Sequence, residues 1–205
     1  MGNKPRSGKK SKTTAGKTGT PVQEKKGTPP WVSYVLWGGG VVVLIVLLTL
    51  AFGGLQTSNV ESPEGVQRFT DLDRTHAEGA ISYEQDPPVG GAHAPVWLNC
   101  GYFSTPVPNE NVVHSLEHGI VWIAYDPALD EDSIDELRGY AGEPQVIVSP
   151  YPGLDATVSL QTWGNQLKLD DVNDERLDQF VRALKDGPDT PEPGAGCAGG
   201  IGVPG

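Results

Sequence analysis

Asn109-Glu-Asn-Val-Val-His114-Ser-Leu-Glu117-His118-Gly119, followed directly by Ile120-Val-Trp-Ile-Ala-Tyr125, sets a short helix pattern against an unbroken apolar run. Asn109 suits the free amides at a helix start, Glu110 suits the positive first turn, and Gly119 suits the left-handed exit. The run that follows has no polar alternation and ends at Asp126-Pro127, so it reads as a strand buried on both faces. Buried strands need cover on each side, which requires a layered domain.

Working outward, a helix is expected over about Asp132 to Ala141, where Ile134, Leu137 and Ala141 keep helical spacing. Gln145 to Ser149 reads as a second buried strand and Pro150-Tyr-Pro-Gly153 as a turn. Thr157 to Trp163 alternates, which predicts a half-exposed strand with Thr157, Ser159 and Gln161 on the outer face. Asn173 is a candidate cap for a last helix carrying Leu177, Phe180, Val181 and Leu184 on one face, stopped by Gly187-Pro188. Toward the N-terminus, short strands are expected around Val66 to Phe69 and Gly79 to Glu84, and Asp86 to Pro95 is a loop. The order implies an α+β fold, a small mixed β-sheet packed with two or three helices, after one N-terminal transmembrane helix.

That last element comes from charge and hydropathy. The first 30 residues hold eight Lys/Arg against one Glu, a net of +7, while the remaining seven basic and 25 acidic residues leave −18. Trp31 to Leu55 carries no charge, and about 20 such residues span a bilayer core. Trp31, Tyr34 and Trp37 suit an interface, and the basic tail is expected inside, sending the acidic body out. A cleaved signal peptide and a buried core helix are the alternatives; the long tail before the apolar run and the lack of an Ala-x-Ala site favour an anchor. The expected organisation is a disordered tail over 1–30, a membrane helix over 31–55, a tether over 56–75, a globular domain over 76–186 and a Gly/Pro-rich tail over 187–205. The tail is read as a topology signal, and nucleic acid is not expected as a partner.

Cys100 and Cys197 are the only two cysteines, and on the outer side of a membrane they suggest one disulfide pinning the C-terminal tail. Cys100 as a thiolate ligand is the alternative. All four histidines, His76, His93, His114 and His118, fall within 43 consecutive residues. On a helix, His114 and His118 sit one turn apart, close enough to share an ion. Imidazole suits copper or zinc, and Met1 is the only methionine, so a thioether-rich copper(I) site is excluded. A histidine near a helix end or a turn also has a purely structural reading.

His114-Ser-Leu-Glu117-His118 matches the His-x-x-Glu-His order of the inverted zinc peptidases, in which Glu117 would activate water. Gly119 ending the helix directly after the second histidine makes this context poor. No Gly-x-Ser-x-Gly, phosphate-binding glycine loop or Cys-x-x-Cys is present.

Pro87-Pro88 followed by Gly91-Ala-His93 and Trp97, then Asn109 to Gly119, then Ser149-Pro-Tyr-Pro-Gly-Leu-Asp155 and Thr162-Trp-Gly164, resemble the domain of unknown function 3105 family, common in actinobacteria. The resemblance covers about residues 70 to 186. It departs at Val89-Gly90, where the family usually reads Thr-Ser. It implies a single N-terminal anchor and an exported domain, and no activity.

The leading expectation is a membrane-anchored exported domain binding copper or zinc through His114, His118 and one or both of His93 and His76. A metal-free module docking an envelope protein, or an accessory subunit, is the second, and a zinc hydrolase the third.

Overall fold

The computed structural model describes residues 61–205, together with Gly27 and Pro29. The expected basic tail and the apolar span of 31–55 lie outside the described residues. Among the described residues, no helix is long and apolar enough to cross a membrane.

The apolar run forms β3, Val121–Tyr125, and every one of its residues is buried. Before it come β1 (Gln67–Arg68), β2 (Gly101–Tyr102) and α1 (Asn109–Glu117). After it come α2 (Glu131–Tyr140), β4 (Val146–Pro150), β5 (Val158–Thr162), β6 (Asn165–Leu169) and α3 (Glu175–Leu184). Among the described residues these make an α+β fold of three helices on one six-stranded sheet, ordered β1-β6-β5-β3-β4-β2. β4 pairs in parallel with β3 and β2, whereas β5 is antiparallel to β3 and β6, so the sheet is mixed.

Strand side chains alternate between faces, and β3 therefore feeds two cores. Val121, Ile123 and Tyr125 join Leu137 of α2 and Leu177, Phe180, Val181 and Leu184 of α3. Trp122 and Ala124 join Val112, Val113 and Leu116 of α1 with Leu98, Phe103 and Trp163. The first face thus carries two helices, and the second carries α1 and long loops. That second face holds the histidines.

Several local expectations need correction. β5 is buried on both faces: Ser159 and Gln161 are fully enclosed because α1 packs over that side. Their polar groups are met inside, Gln161 by Ser159, while the neighbouring Trp122 Nε1 donates to Ser149 Oγ at 2.9 Å. Gly79–Glu84 forms no strand, and its Ile81 amide donates instead to Glu110 Oε1 at 3.0 Å. β6 was not anticipated. Asn109 lies inside α1 behind Pro108, which offers no side-chain cap, and α3 is capped by Asp174 rather than Asn173.

Gly119 makes the turn from α1 into β3 at φ +86°. A Cβ there would also meet Asp186 Oδ1 at 2.5 Å and Thr190 Cγ2 at 3.0 Å, so the position needs glycine twice over. The residues beyond α3 return to the sheet as part of one unit, Ser58–Gly205. Leu98 and Ile201 form a parallel bridge, and Cys100 and Cys197 pair at disulfide distance with Cα atoms 5.4 Å apart.

Candidate metal centre

Three pieces of backbone meet on the second face. A parallel bridge pairs His76 with His93, fixed by Ala77 N donating to His93 O at 2.8 Å and His93 N donating to Thr75 O at 3.0 Å. Ala94 N donates to Glu110 O at 3.1 Å, which lashes this bridge to the first turn of α1. Further along α1, Ser115 Oγ donates to Leu98 O at 2.8 Å and accepts from Leu98 N at 3.0 Å. These contacts bring His76 and His93 onto the face of α1 that carries His114.

The three rings form a triangle. His76 and His93 centroids are 4.9 Å apart, His76 and His114 5.0 Å, and His93 and His114 5.0 Å. Each side chain offers one ligand nitrogen, and those three atoms lie within 4.8 Å of one another. Two of the rings are locked at the other nitrogen. His93 Nδ1 donates to Gly91 O at 2.8 Å and His114 Nδ1 to Ala94 O at 2.7 Å. A carbonyl only accepts, so each Nδ1 carries a proton, and in the neutral ring each Nε2 presents a lone pair. This is the tautomer and the orienting contact that metal-bound imidazoles use.

His118 behaves differently. Its ring lies 4.8 Å from His114, so the expected one-turn pair does meet. Its Nδ1 donates to Gly196 O at 3.0 Å and its Nε2 stands 3.7 Å from Glu192 Oε2, both in the C-terminal tail. Trp97 leans on both rings, 5.8 Å from His114 and 5.1 Å from His118. The converging trio is therefore His76, His93 and His114, with His118 alongside rather than among them. A His-x-x-Glu-His zinc site would instead be centred between His114 and His118.

Glu117, buried to 2% exposure, and Arg74 complete the surroundings. Arg74 Nε donates to Glu117 Oε1 at 2.8 Å, from a side chain that is half exposed. Glu117 Oε2 lies 3.0 Å from His93 Nε2, yet that nitrogen has no hydrogen-bond partner. Arg74 had no signal in the sequence, whereas Glu117 was legible as the residue three places after His114.

A family model described as a protein of unknown function, DUF3105, matches residues 74–199. The chain belongs to this family. The DUF3105 match begins just before His76 and ends just beyond Cys197, so all four histidines and both cysteines fall inside it. No curated protein and no solved structure matches the chain.

Burial holds the His114 pKa below its ordinary value, reinforced by the neighbouring His118, His93 and His76 rings. The ring is then neutral at pH 7, the form in which imidazole binds metal. Its folded pKa is lower than its unfolded one, so its stabilising contribution is full above about pH 6.5 and is lost as the pH falls below that. The melting temperature of the metal-free chain is expected to drop between pH 7.5 and 5, and to drop less in His114→Gln. Parallel melting curves for the two proteins would contradict this.

Proposed function

We propose that this chain is a single-pass, membrane-anchored exported domain that holds one divalent transition metal, zinc or copper, on His76, His93 and His114. The observation that carries the reading is the convergence of three imidazole nitrogens to within 4.8 Å, two of them in the lone-pair-out tautomer. Three imidazole nitrogens without a thiolate or thioether suit zinc(II) or copper(II) rather than copper(I). His76 is exposed while His93 and His114 are buried, so the site is reached from the His76 side and retains an accessible position there. What supports the anchor is the uncharged apolar run of residues 31–55 behind a basic tail, a pattern that by the positive-inside rule favours an outer location for the −18 body. Metal handling, or service to an envelope complex, is the role this arrangement fits.

The test uses the full chain purified in detergent, stripped with chelator and titrated with zinc(II) or copper(II). One ion per chain is expected, with a stabilisation of about 2.7 kcal/mol once the free ion reaches about 100 times its dissociation constant. A chain that retains no ion and melts unchanged in its presence ends this reading.

A further inference from the structure

His93 and Glu117 pose a question that the three-histidine trio does not answer. Both side chains are enclosed, at 0% and 3% exposure, and their polar atoms Nε2 and Oε2 are 3.0 Å apart. In the neutral ring with its proton on Nδ1, the Nε2 lone pair and a carboxylate oxygen face the same space, and Nε2 has no hydrogen-bond partner. Two enclosed acceptors at that separation repel unless a proton or a metal cation lies between them. Bonds of about 2.0–2.1 Å to imidazole and about 2.0–2.2 Å to carboxylate put neighbouring ligands of one ion about 3 Å apart for a right angle and about 3.4 Å for a tetrahedral one. The observed spacing fits two ligands sharing an ion, as it also fits a proton shared between them when no ion is bound.

We infer that Glu117 is a fourth ligand, so that the site is three imidazoles and one carboxylate. This rests on the proposed metal-binding role of the trio. The Glu117 carboxylate is not within mutual reach of all three rings, so coordination draws it inward from the His93 side. Its other oxygen is held by Arg74, whose half-exposed side chain has the freedom to follow. That guanidinium aims the carboxylate and offsets its charge while no ion is bound. Position i+3 from His114 on α1 gives Glu117 the same helix face, which is why one short helix supplies two of the four ligands. A carboxylate among imidazoles also biases the site further from copper(I) and toward zinc(II), copper(II) or another divalent ion.

The experiment compares the full chain with Glu117→Gln, an isosteric change that removes the charge. Zinc(II) affinity is read by chelator competition and coordination by the visible spectrum of the cobalt(II)-loaded protein. About 100-fold weaker zinc binding with an altered cobalt spectrum is expected, since outer-shell losses alone reach about 10- to 100-fold. An unchanged cobalt spectrum, whatever the affinity, overturns the inference and leaves Glu117 as a positioning residue around an intact trio. A parent chain that binds no metal at all removes the trio reading as well, so the two failures are distinct. If Glu117→Gln does not fold, crystals of the zinc-loaded parent decide: a Glu117 oxygen within about 2.2 Å of the ion supports the fourth ligand, and a carboxylate remote from it overturns it.

Discussion

His93→Ala is expected to lower the affinity for zinc(II) or copper(II) by at least about 100-fold, while His118→Ala leaves it nearly unchanged. The two histidines look alike in the sequence, and proximity to His114 alone would favour His118. Their surroundings reverse the order. His93 is fully buried, has its Nδ1 fixed by Gly91 O, and turns an unpartnered Nε2 into the space shared with His114 and Glu117. His118 gives its Nδ1 to Gly196 O and faces Glu192, so removing it loosens the tail without subtracting from the trio. The His93 change also empties a packed position beside Trp163, whose ring lies 5.8 Å away, and some loss of stability accompanies it. Affinity is therefore measured by chelator competition on protein verified as folded by circular dichroism. A larger loss in His118→Ala than in His93→Ala would refute the assignment.

The contrast reflects what the chain makes visible. Asn109 to Gly119 announced a helix through its polar start and glycine exit, and Ile120 to Tyr125 announced a buried strand through its continuous apolar character. Both are local signals, and both elements form within two residues of the expected bounds. The strand Asn165–Leu169 was missed because Asn, Gln and Lys outnumber its two leucines. A signal for it existed: Thr162 pairs with Asn165 across a two-residue loop, Trp163-Gly164, with Gly164 at φ +72°. Ser159 and Gln161 misled in the opposite sense. Alternation marks a strand well, but polar alternation marks solvent only when nothing covers that face, and α1 covers it.

The site is less local still. Helical spacing placed His114 and His118 together, which was correct as geometry. What selects His76 and His93 as the partners is the backbone bridge between them and its attachment to Glu110 O, and bridges between loops leave no periodicity to read. Arg74 is likewise one basic residue among many until the fold sets it on Glu117. The four histidines were legible as a group because they fall close together in the chain; their division into three and one was not, because the tail carbonyl that diverts His118 comes from a residue 78 positions later.

Replacing both cysteines, Cys100→Ala with Cys197→Ala, is expected to cost about 2–5 kcal/mol of unfolding free energy, with metal affinity largely retained. The pair is separated by 97 positions, for which the chain-entropy account gives about 4.7 kcal/mol as an upper figure. Glycine- and proline-rich residues beyond Asp186 have little apolar surface to hold themselves down, so the link keeps their closing entropy low. Once it is gone, their remaining ties are mainly hydrogen bonds of about 1 kcal/mol each, among them Glu192 N to Glu117 O, Ile201 N to Trp97 O, Asn99 N to Ile201 O and Gly205 N to Tyr102 O. Gly200 sits so close to Trp97 that a Cβ would fall 2.3 Å from its carbonyl, so this packing holds only while the tail is registered. Amide exchange is expected to accelerate first at Glu192, Ile201 and Gly205, while β3 and β4 stay protected. The trio has no hydrogen bond to this segment, whereas His118 does, so zinc binding should persist even as His118 is freed. Unchanged exchange in the tail, or zinc lost together with the disulfide, would mean that the tail belongs to the metal site itself rather than standing beside it.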